Sequence, residues 1–90
     1  MSFEIAAGRP YVTVKKAGDK TPIDFPSPTM SLYVAGAQGT KIYFAQADLD
    51  GDTNHITIGA SGAWQAPVAC KRVYVSGTGD VEVVGLCITR

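Results

Sequence analysis

Short runs of alternating apolar and polar residues fill most of this 90-residue chain. The clearest run, residues 11–15, places Val12 and Val14 on one face and its other three side chains on the opposite face. Such a period of two predicts a half-buried β-strand. Glycine, proline, aspartate or asparagine bounds the runs, and no long segment shows the period of about 3.6 residues that marks a helix. We therefore expect an all-β domain.

The spacing of these runs predicts the architecture. Two of them contain a proline, which cannot donate a ladder hydrogen bond. The run with Pro22 is expected at a sheet edge, and the run with Pro67 is expected to be an edge strand or to contain a bulge. Eight or nine short strands with frequent turns predict an antiparallel β-sandwich or jelly roll of about eight strands, or a small barrel. We expect a single hairpin-rich domain over residues 1–90. Besides the repeated pattern described next, strands are predicted at residues 3–7, 11–15, 21–25, 55–59, 63–69 and 80–89.

One six-residue pattern occurs twice. Residues 31–36 read Ser-Leu-Tyr-Val-Ala-Gly, and residues 72–77 read Arg-Val-Tyr-Val-Ser-Gly. Each copy precedes a short turn and a second alternating run, which predicts two β-hairpins. The pattern is open to two interpretations: an internal duplication, or convergence of two hairpins on the same pleat and turn requirements.

The register of each hairpin follows from placing apolar residues opposite one another. Tyr33 is then expected to pair with Tyr43, and Tyr74 with Glu82. The last run, residues 80–89, is apolar on both faces after its first positions. A strand of this kind is covered on both sides. In a small antiparallel protein the second cover could be another subunit.

Charge and length exclude several classes of partner. Eight basic residues balance eight acidic ones, so the formal net charge is zero. A neutral domain has no electrostatic footprint for nucleic acid or an anionic membrane, and no apolar run approaches the roughly 18 residues that cross a bilayer. We expect neither as a partner. Low charge repulsion and the thin stability margin of a short chain favour a homo-oligomer.

The cysteines and the N-terminal segment indicate the compartment. Residues 1–5 contain an acidic residue and no basic n-region, so we expect no signal peptide. The chain would then fold in a reducing cytoplasm, where Cys70 and Cys87 are expected to remain free thiols. A disulfide stays open as an alternative because both cysteines lie in strand-like runs.

One acidic loop is the candidate metal site, through Asp48, Asp50 and Asp52. Alternate carboxylates on a tight turn can supply the oxygen ligands that calcium prefers. The spacing departs from an EF-hand loop, because Thr53 stands where that loop has its glycine and Gly59 where it has its final glutamate. An Asp-Gly turn explains the same residues without a metal.

Signals for catalysis are weak along the whole chain. His55 is the only histidine, and the sequence contains neither a nucleophile elbow nor a phosphate-binding glycine motif. General acid–base catalysis needs a titratable group with positioned partners. We therefore expect a non-enzymatic protein without catalytic residues and without a cofactor.

Tyrosines mark the candidate partner interface. If the alternating valines face the core, the tyrosines of the repeated pattern and its following strand project from the outer faces. A tyrosine has an apolar ring and a polar tip, which suits interfaces. The same rings could instead form solvated cross-strand pairs, or a platform on which sugars stack. Together with two residues of the doubly apolar last strand, the candidate interface residues are Tyr33, Tyr43, Tyr74, Arg72, Val84 and Leu86.

These features together resemble the small β-rich virion proteins of tailed bacteriophages, such as capsid decoration or cement proteins. The resemblance rests on the neutral all-β domain, the start at Met1, the connector Pro26-Ser27-Pro28, and the segment Tyr-Val-Ser-Gly-Thr-Gly at 74–79 that leads into the last strand. It implies a structural protein of the virion, assembled in the host cytoplasm. A homotrimer on capsid subunits is favoured over a ring at the head–tail junction. The alternative is a carbohydrate-binding module that uses exposed tyrosines.

Overall fold

The computed structural model describes residues 8–88, with side chains described for residues 9–87. The strand predicted at residues 3–7 lies outside this range. Within it, eight strands and one short α-helix follow one another, together with one 3-10 turn at Ala17–Asp19. The elements are β1 (Gly8–Lys16), β2 (Ile23–Asp24), β3 (Thr29–Ala35), β4 (Lys41–Tyr43), α1 (Gln46–Gly51), β5 (Ile56–Thr57), β6 (Ala63–Ala66), β7 (Arg72–Ser76) and β8 (Asp80–Ile88).

The described strands form two four-stranded antiparallel sheets that pack as a sandwich. Sheet 1 has the order β1-β8-β3-β6, and sheet 2 has the order β2-β7-β4-β5. β1 pairs with β8, β2 with β7, β3 with β6 and β4 with β5. This nested pairing of the first half of the chain with the second half is the topology of a jelly roll. The predicted fold class is confirmed, and the strands next to Pro22 and Pro67 do lie at sheet edges.

The two predicted hairpins do not form. β3 lies in sheet 1 and β4 in sheet 2, so that Tyr33 pairs with Val84 rather than with Tyr43. β7 lies in sheet 2 and β8 in sheet 1, so that Tyr74 pairs with Tyr43 rather than with Glu82. Alternation assigned the faces of these strands, but both turns lead from one sheet to the other.

The β3–β4 and β7–β8 crossings between the sheets each begin at the glycine that ends the repeated pattern. Thr40 is buried between the two glycines: a Cβ on Gly36 would lie 3.2 Å from Thr40 Oγ1, and a Cβ on Gly77 would lie 3.3 Å from Thr40 Cα. Gly77 also has a φ of 143°, which favours glycine. The Thr40 hydroxyl has no hydrogen-bond partner among the described residues. The crossings therefore depend on small residues packed around one buried threonine.

The core lies between the two sheets. Phe25, on the connection between β2 and β3, is buried with its ring directly against Gly85 of β8. Trp64 of β6 packs at the margin of the core, with its ring centroid 6.4 Å from that of Phe44. The fully buried branched aliphatic residues are Leu32, Val34, Ile42, Ile58, Val73, Val75, Val81 and Val83.

Helix α1 occupies the segment that the sequence predicts as a polar loop. It is less than two turns long, and it ends where Asp52 takes a left-handed conformation with a φ of 52°. Six residues are too few to show a helical period, which explains why the pattern missed it. No helix in residues 8–88 is long and apolar enough to cross a membrane.

Candidate functional site: the two outer sheet faces

The six predicted interface residues lie on opposite sides of the sandwich. Tyr33, Val84 and Leu86 belong to sheet 1, whereas Tyr43, Tyr74 and Arg72 belong to sheet 2. Because residues that are opposite each other in a ladder share a face, the register assigns each set to one outer face. The six residues therefore cannot form one continuous surface.

The outer side of sheet 1 is apolar and open. Pro10 lies opposite Leu86, Val12 lies opposite Val84, and Val84 lies opposite Tyr33 in the next strand. Val12 is 61% exposed and Val14 is 63% exposed, while Tyr33, Val84 and Leu86 are half-buried. We call this surface the apolar face, and its members are Pro10, Val12, Val14, Tyr33, Val84 and Leu86.

Three charged side chains accompany the apolar face. Lys16 at the end of β1 lies opposite Asp80 at the start of β8, and Glu82 lies opposite Val14. All three charged residues are exposed. The apolar face therefore carries one cation and two carboxylates at the same end, on neighbouring strands.

The outer side of sheet 2 differs because its tyrosines are covered. Tyr43 and Tyr74 lie directly opposite each other, yet only 2% and 3% of their surfaces are exposed. The expectation that they project as accessible rings is therefore wrong. The Tyr43 ring meets the edge of His55 at a centroid distance of 5.5 Å. Arg72, two residues before Tyr74 on β7, donates to Asp24 of the neighbouring β2 at 2.6 Å. Polar side chains from neighbouring segments thus cover Tyr43, and the Arg72–Asp24 ion pair lies on the same sheet as the buried Tyr74.

A polar cluster centred on Asp52 covers Tyr43. The Tyr43 hydroxyl donates to Asp52 Oδ1 at 2.6 Å, and Lys41 Nζ donates to Asp52 Oδ2 at 2.9 Å. His55 Nε2 lies 3.5 Å from Asp52 Oδ1, and Tyr43 Oη lies 3.3 Å from Ser76 Oγ. The Asp52 carboxylate therefore joins the segment after α1 to β4, and the Tyr43 hydroxyl extends the cluster to Ser76 of β7.

The cluster shifts the titration of its members. The hydrogen bonds from Tyr43 and then Lys41 lower the pKa of Asp52. The hydrogen bond to Asp52 raises the pKa of Lys41. Burial, followed by the hydrogen bond to Asp52, raises the pKa of Tyr43. All three shifts favour the protonation states that the cluster uses at neutral pH: an ionised Asp52, a charged Lys41 and a neutral Tyr43.

The three carboxylates of the candidate metal loop point to different partners. Asp48 accepts hydrogen bonds from Thr53 and Asn54 of its own loop, Asp50 accepts one from Gln46, and Asp52 belongs to the polar cluster. Within residues 8–88, no three histidine, cysteine, aspartate or glutamate side chains are grouped as a metal ion would require. The described geometry therefore does not bring the candidate ligands together.

Both cysteines lie beside Thr29 at the start of β3. Thr29 lies opposite Cys87 in the β3–β8 ladder, and its Oγ1 atom is 3.5 Å from Cys70 Sγ. In the described part of the chain both are free thiols, Cys87 buried and Cys70 half-buried. Cys87 behaves as a small core residue, as free cysteine commonly does.

An open cavity of about 420 Å³ lies at one end of the sandwich. It is lined by Lys16, Gly18, Asp19 and residues 77–80, which are loop backbone and short or charged side chains. Tyr33, the one candidate interface tyrosine that keeps an accessible ring, lies on the apolar face instead. The cavity and the aromatic ring therefore do not combine into one sugar-binding site.

No protein-family model, curated protein or solved structure matches this chain. We therefore infer its function from the fold and from the chemistry of its two outer faces.

Proposed function

We propose that this chain is a non-enzymatic structural protein that self-associates and binds a larger protein assembly. The apolar face supports this proposal above all other features. The outer side of an antiparallel sheet is ordinarily polar, whereas here Val12 and Val14 are more than half exposed beside Val84. Contiguous exposed apolar patches mark protein interaction sites, and burying them is favourable by about 25 cal/mol per Å².

The polar cluster supports a structural role rather than a catalytic one. Asp52 accepts hydrogen bonds from Tyr43 and Lys41 and lies next to His55. A general base must have its acceptor available to a substrate proton, but this carboxylate already serves groups of its own chain. The hydrogen bonds of the cluster thus hold the segment after α1 against sheet 2.

The larger assembly that we propose is a tailed-phage capsid, with this chain as a decoration or cement protein. The zero net charge supports a protein partner over nucleic acid or a membrane. The resemblance that suggests this class also implies a homotrimer. Coat, portal or terminase genes beside this one would support the viral class, and a neighbourhood of metabolic genes would contradict it.

Two tyrosine variants test the proposed self-association. We expect Tyr33→Ser to weaken it while leaving the unfolding curve unchanged, because this ring lies on the open apolar face. The matched control, Tyr74→Ser, removes a buried ring and should instead destabilise the fold by about 3–5 kcal/mol. Sedimentation equilibrium from micromolar to millimolar protein measures the first effect, and urea unfolding measures the second. A monodisperse monomer at every concentration would refute self-association.

A further inference from the structure

We propose that the apolar face docks onto the same face of a second copy of this chain. The two copies are related by a twofold axis that lies between their stacked copies of sheet 1 and runs parallel to β1 and β8. This inference rests on the proposed self-association, and it assigns to the apolar face a twofold contact in place of the homotrimer that the resemblance implies. A twofold contact requires a self-complementary surface in which residue i meets residue j and j meets i. The β1–β8 ladder supplies such a set of pairs.

The register of that ladder shows what the axis would bring together. Along it, Pro10 lies opposite Leu86 and Val12 lies opposite Val84. An axis placed between the two strands exchanges β1 of one copy with β8 of the other. Each of these neighbouring pairs then becomes a contact across the interface, with Val12 of one copy against Val84 of the second. The outward-facing apolar residues of β1 in one copy therefore contact those of β8 in the other copy.

The charges select this axis over the perpendicular one. The same exchange places Lys16 against Asp80 of the second copy, and Glu82, two residues further along β8, lies on the same face within reach of that lysine. Both copies make this contact, which gives two ion-pair sites. An axis across the strands through Val12 and Val84 would instead place Glu82 against Leu86 and leave Lys16 without a counterpart.

Face-to-face stacking also agrees with the chemistry of the sheet edge. β1 is an edge strand, and edge pairing with another chain requires free backbone donors. Pro10 lacks a donor, and Lys15 and Lys16 on the same strand are charges of the kind that discourage edge pairing. Aligned sheets pack about 10 Å apart at roughly 30°. The face of sheet 1, rather than its edge, is therefore the surface that associates.

Mixing two charge-reversed variants tests the inference. Lys16→Asp and Asp80→Lys should each weaken self-association about tenfold or more, because each homodimer would oppose like charges. An equimolar mixture should form a heterodimer nearly as tight as the wild type. In it the two substituted positions would face each other with opposite charges, and the unchanged Lys16 of one chain would face the unchanged Asp80 of the other. Within each variant chain positions 16 and 80 carry charges of the same sign. Recovery of the dimer in the mixture must therefore come from contacts between the two chains. Native mass spectrometry separates the species by mass.

Further variants keep the test decisive. Val12→Lys retains Lys16 and Asp80 and should abolish the dimer, whereas Ala60→Lys, at an exposed turn, should not change it. Thermal unfolding of each variant verifies the fold. A wild-type mass of twice 9.5 kDa with preferred heterodimers supports the inference. A trimer, or an oligomer insensitive to these changes, overturns the inference and leaves the proposed function standing, while a monomer overturns both.

Discussion

Gly85 offers the sharpest test of how the core is packed. A Cβ on this residue would lie 2.6 Å from Cδ1 and 2.8 Å from Cζ of the Phe25 ring. Contacts below 3.0 Å force a shift, and the ring is only 4% exposed, so it has little room. Gly85→Ala therefore overpacks the core, which costs about 1–3 kcal/mol. The entropic gain from replacing glycine by alanine returns at most about 1 kcal/mol.

Three contacts below 3.0 Å with one ring place the overpacking cost in the upper part of its range, about 2–3 kcal/mol. After an entropic gain of about 1 kcal/mol, we expect a net loss of about 1–2 kcal/mol for Gly85→Ala. Equilibrium urea unfolding measures it as a lower midpoint at constant slope. Gly59→Ala is the matched control, because a Cβ there meets no atom within 4 Å, and its stability should stay equal or rise. Phe25→Leu, which shortens the side chain, should suppress the Gly85→Ala penalty in the double variant. A Gly85→Ala midpoint equal to that of the wild type would refute the close packing of Phe25 on β8.

Two other changes probe single polar groups. Thr40→Val should stabilise the fold by about 1 kcal/mol in urea unfolding, because it replaces a buried hydroxyl that lacks a partner. The control Thr40→Ser keeps the hydroxyl and loses a methyl group, so it should destabilise the fold. A destabilised Thr40→Val would show that the hydroxyl has a hydrogen-bond partner. Hydrogen bonds from Tyr43 and Lys41 lower the pKa of Asp52 in the folded protein from its ordinary value of 3.8. The ionised carboxylate therefore stabilises the fold above pH 3.8, and this stabilisation disappears as the pH falls through the pKa of the folded state. Asp52→Asn should therefore be less stable than the wild type at neutral pH and lose less stability below about pH 4, and parallel stability–pH curves would contradict this.

Local patterns predicted the strands well because alternation reports which residues share a face of a strand. The run at residues 11–15 lies within β1, and the repeated pattern became β3 and β7. The last apolar run became β8. In each case the local pattern of apolar residues, bounded by turn residues, is sufficient to indicate a strand, and no long-range information is needed.

Strand pairing was not predictable in the same way. Pairing of Tyr33 with Tyr43 satisfied every local rule for a hairpin, yet the two residues lie in different sheets. In the structure Thr40 lies between Gly36 and Gly77, two glycines from opposite halves of the chain. A contact of this range leaves no periodic signal in the sequence.

The candidate site was predicted only in part for a related reason. Val84 and Leu86 were identified because β8 is apolar on both faces, and both lie on the apolar face. Alternation placed Tyr43 and Tyr74 on an outer face but could not reveal that both rings are buried, with Asp52 and His55 against Tyr43. The exposure of Val12 and Val14 was missed because periodicity groups residues by face without showing which face is inside.

The nested order of the strands has a consequence for biosynthesis. Among the strands of residues 8–88, β1 pairs with β8 alone, so it has no partner strand until residues 80–88 have been synthesised. The sandwich cannot be completed before that point, and nearly every backbone pairing closes a long loop. Chains of such high contact order fold in about milliseconds to seconds. During that interval Val12 and Val14 lie on a strand that lacks its ladder partner.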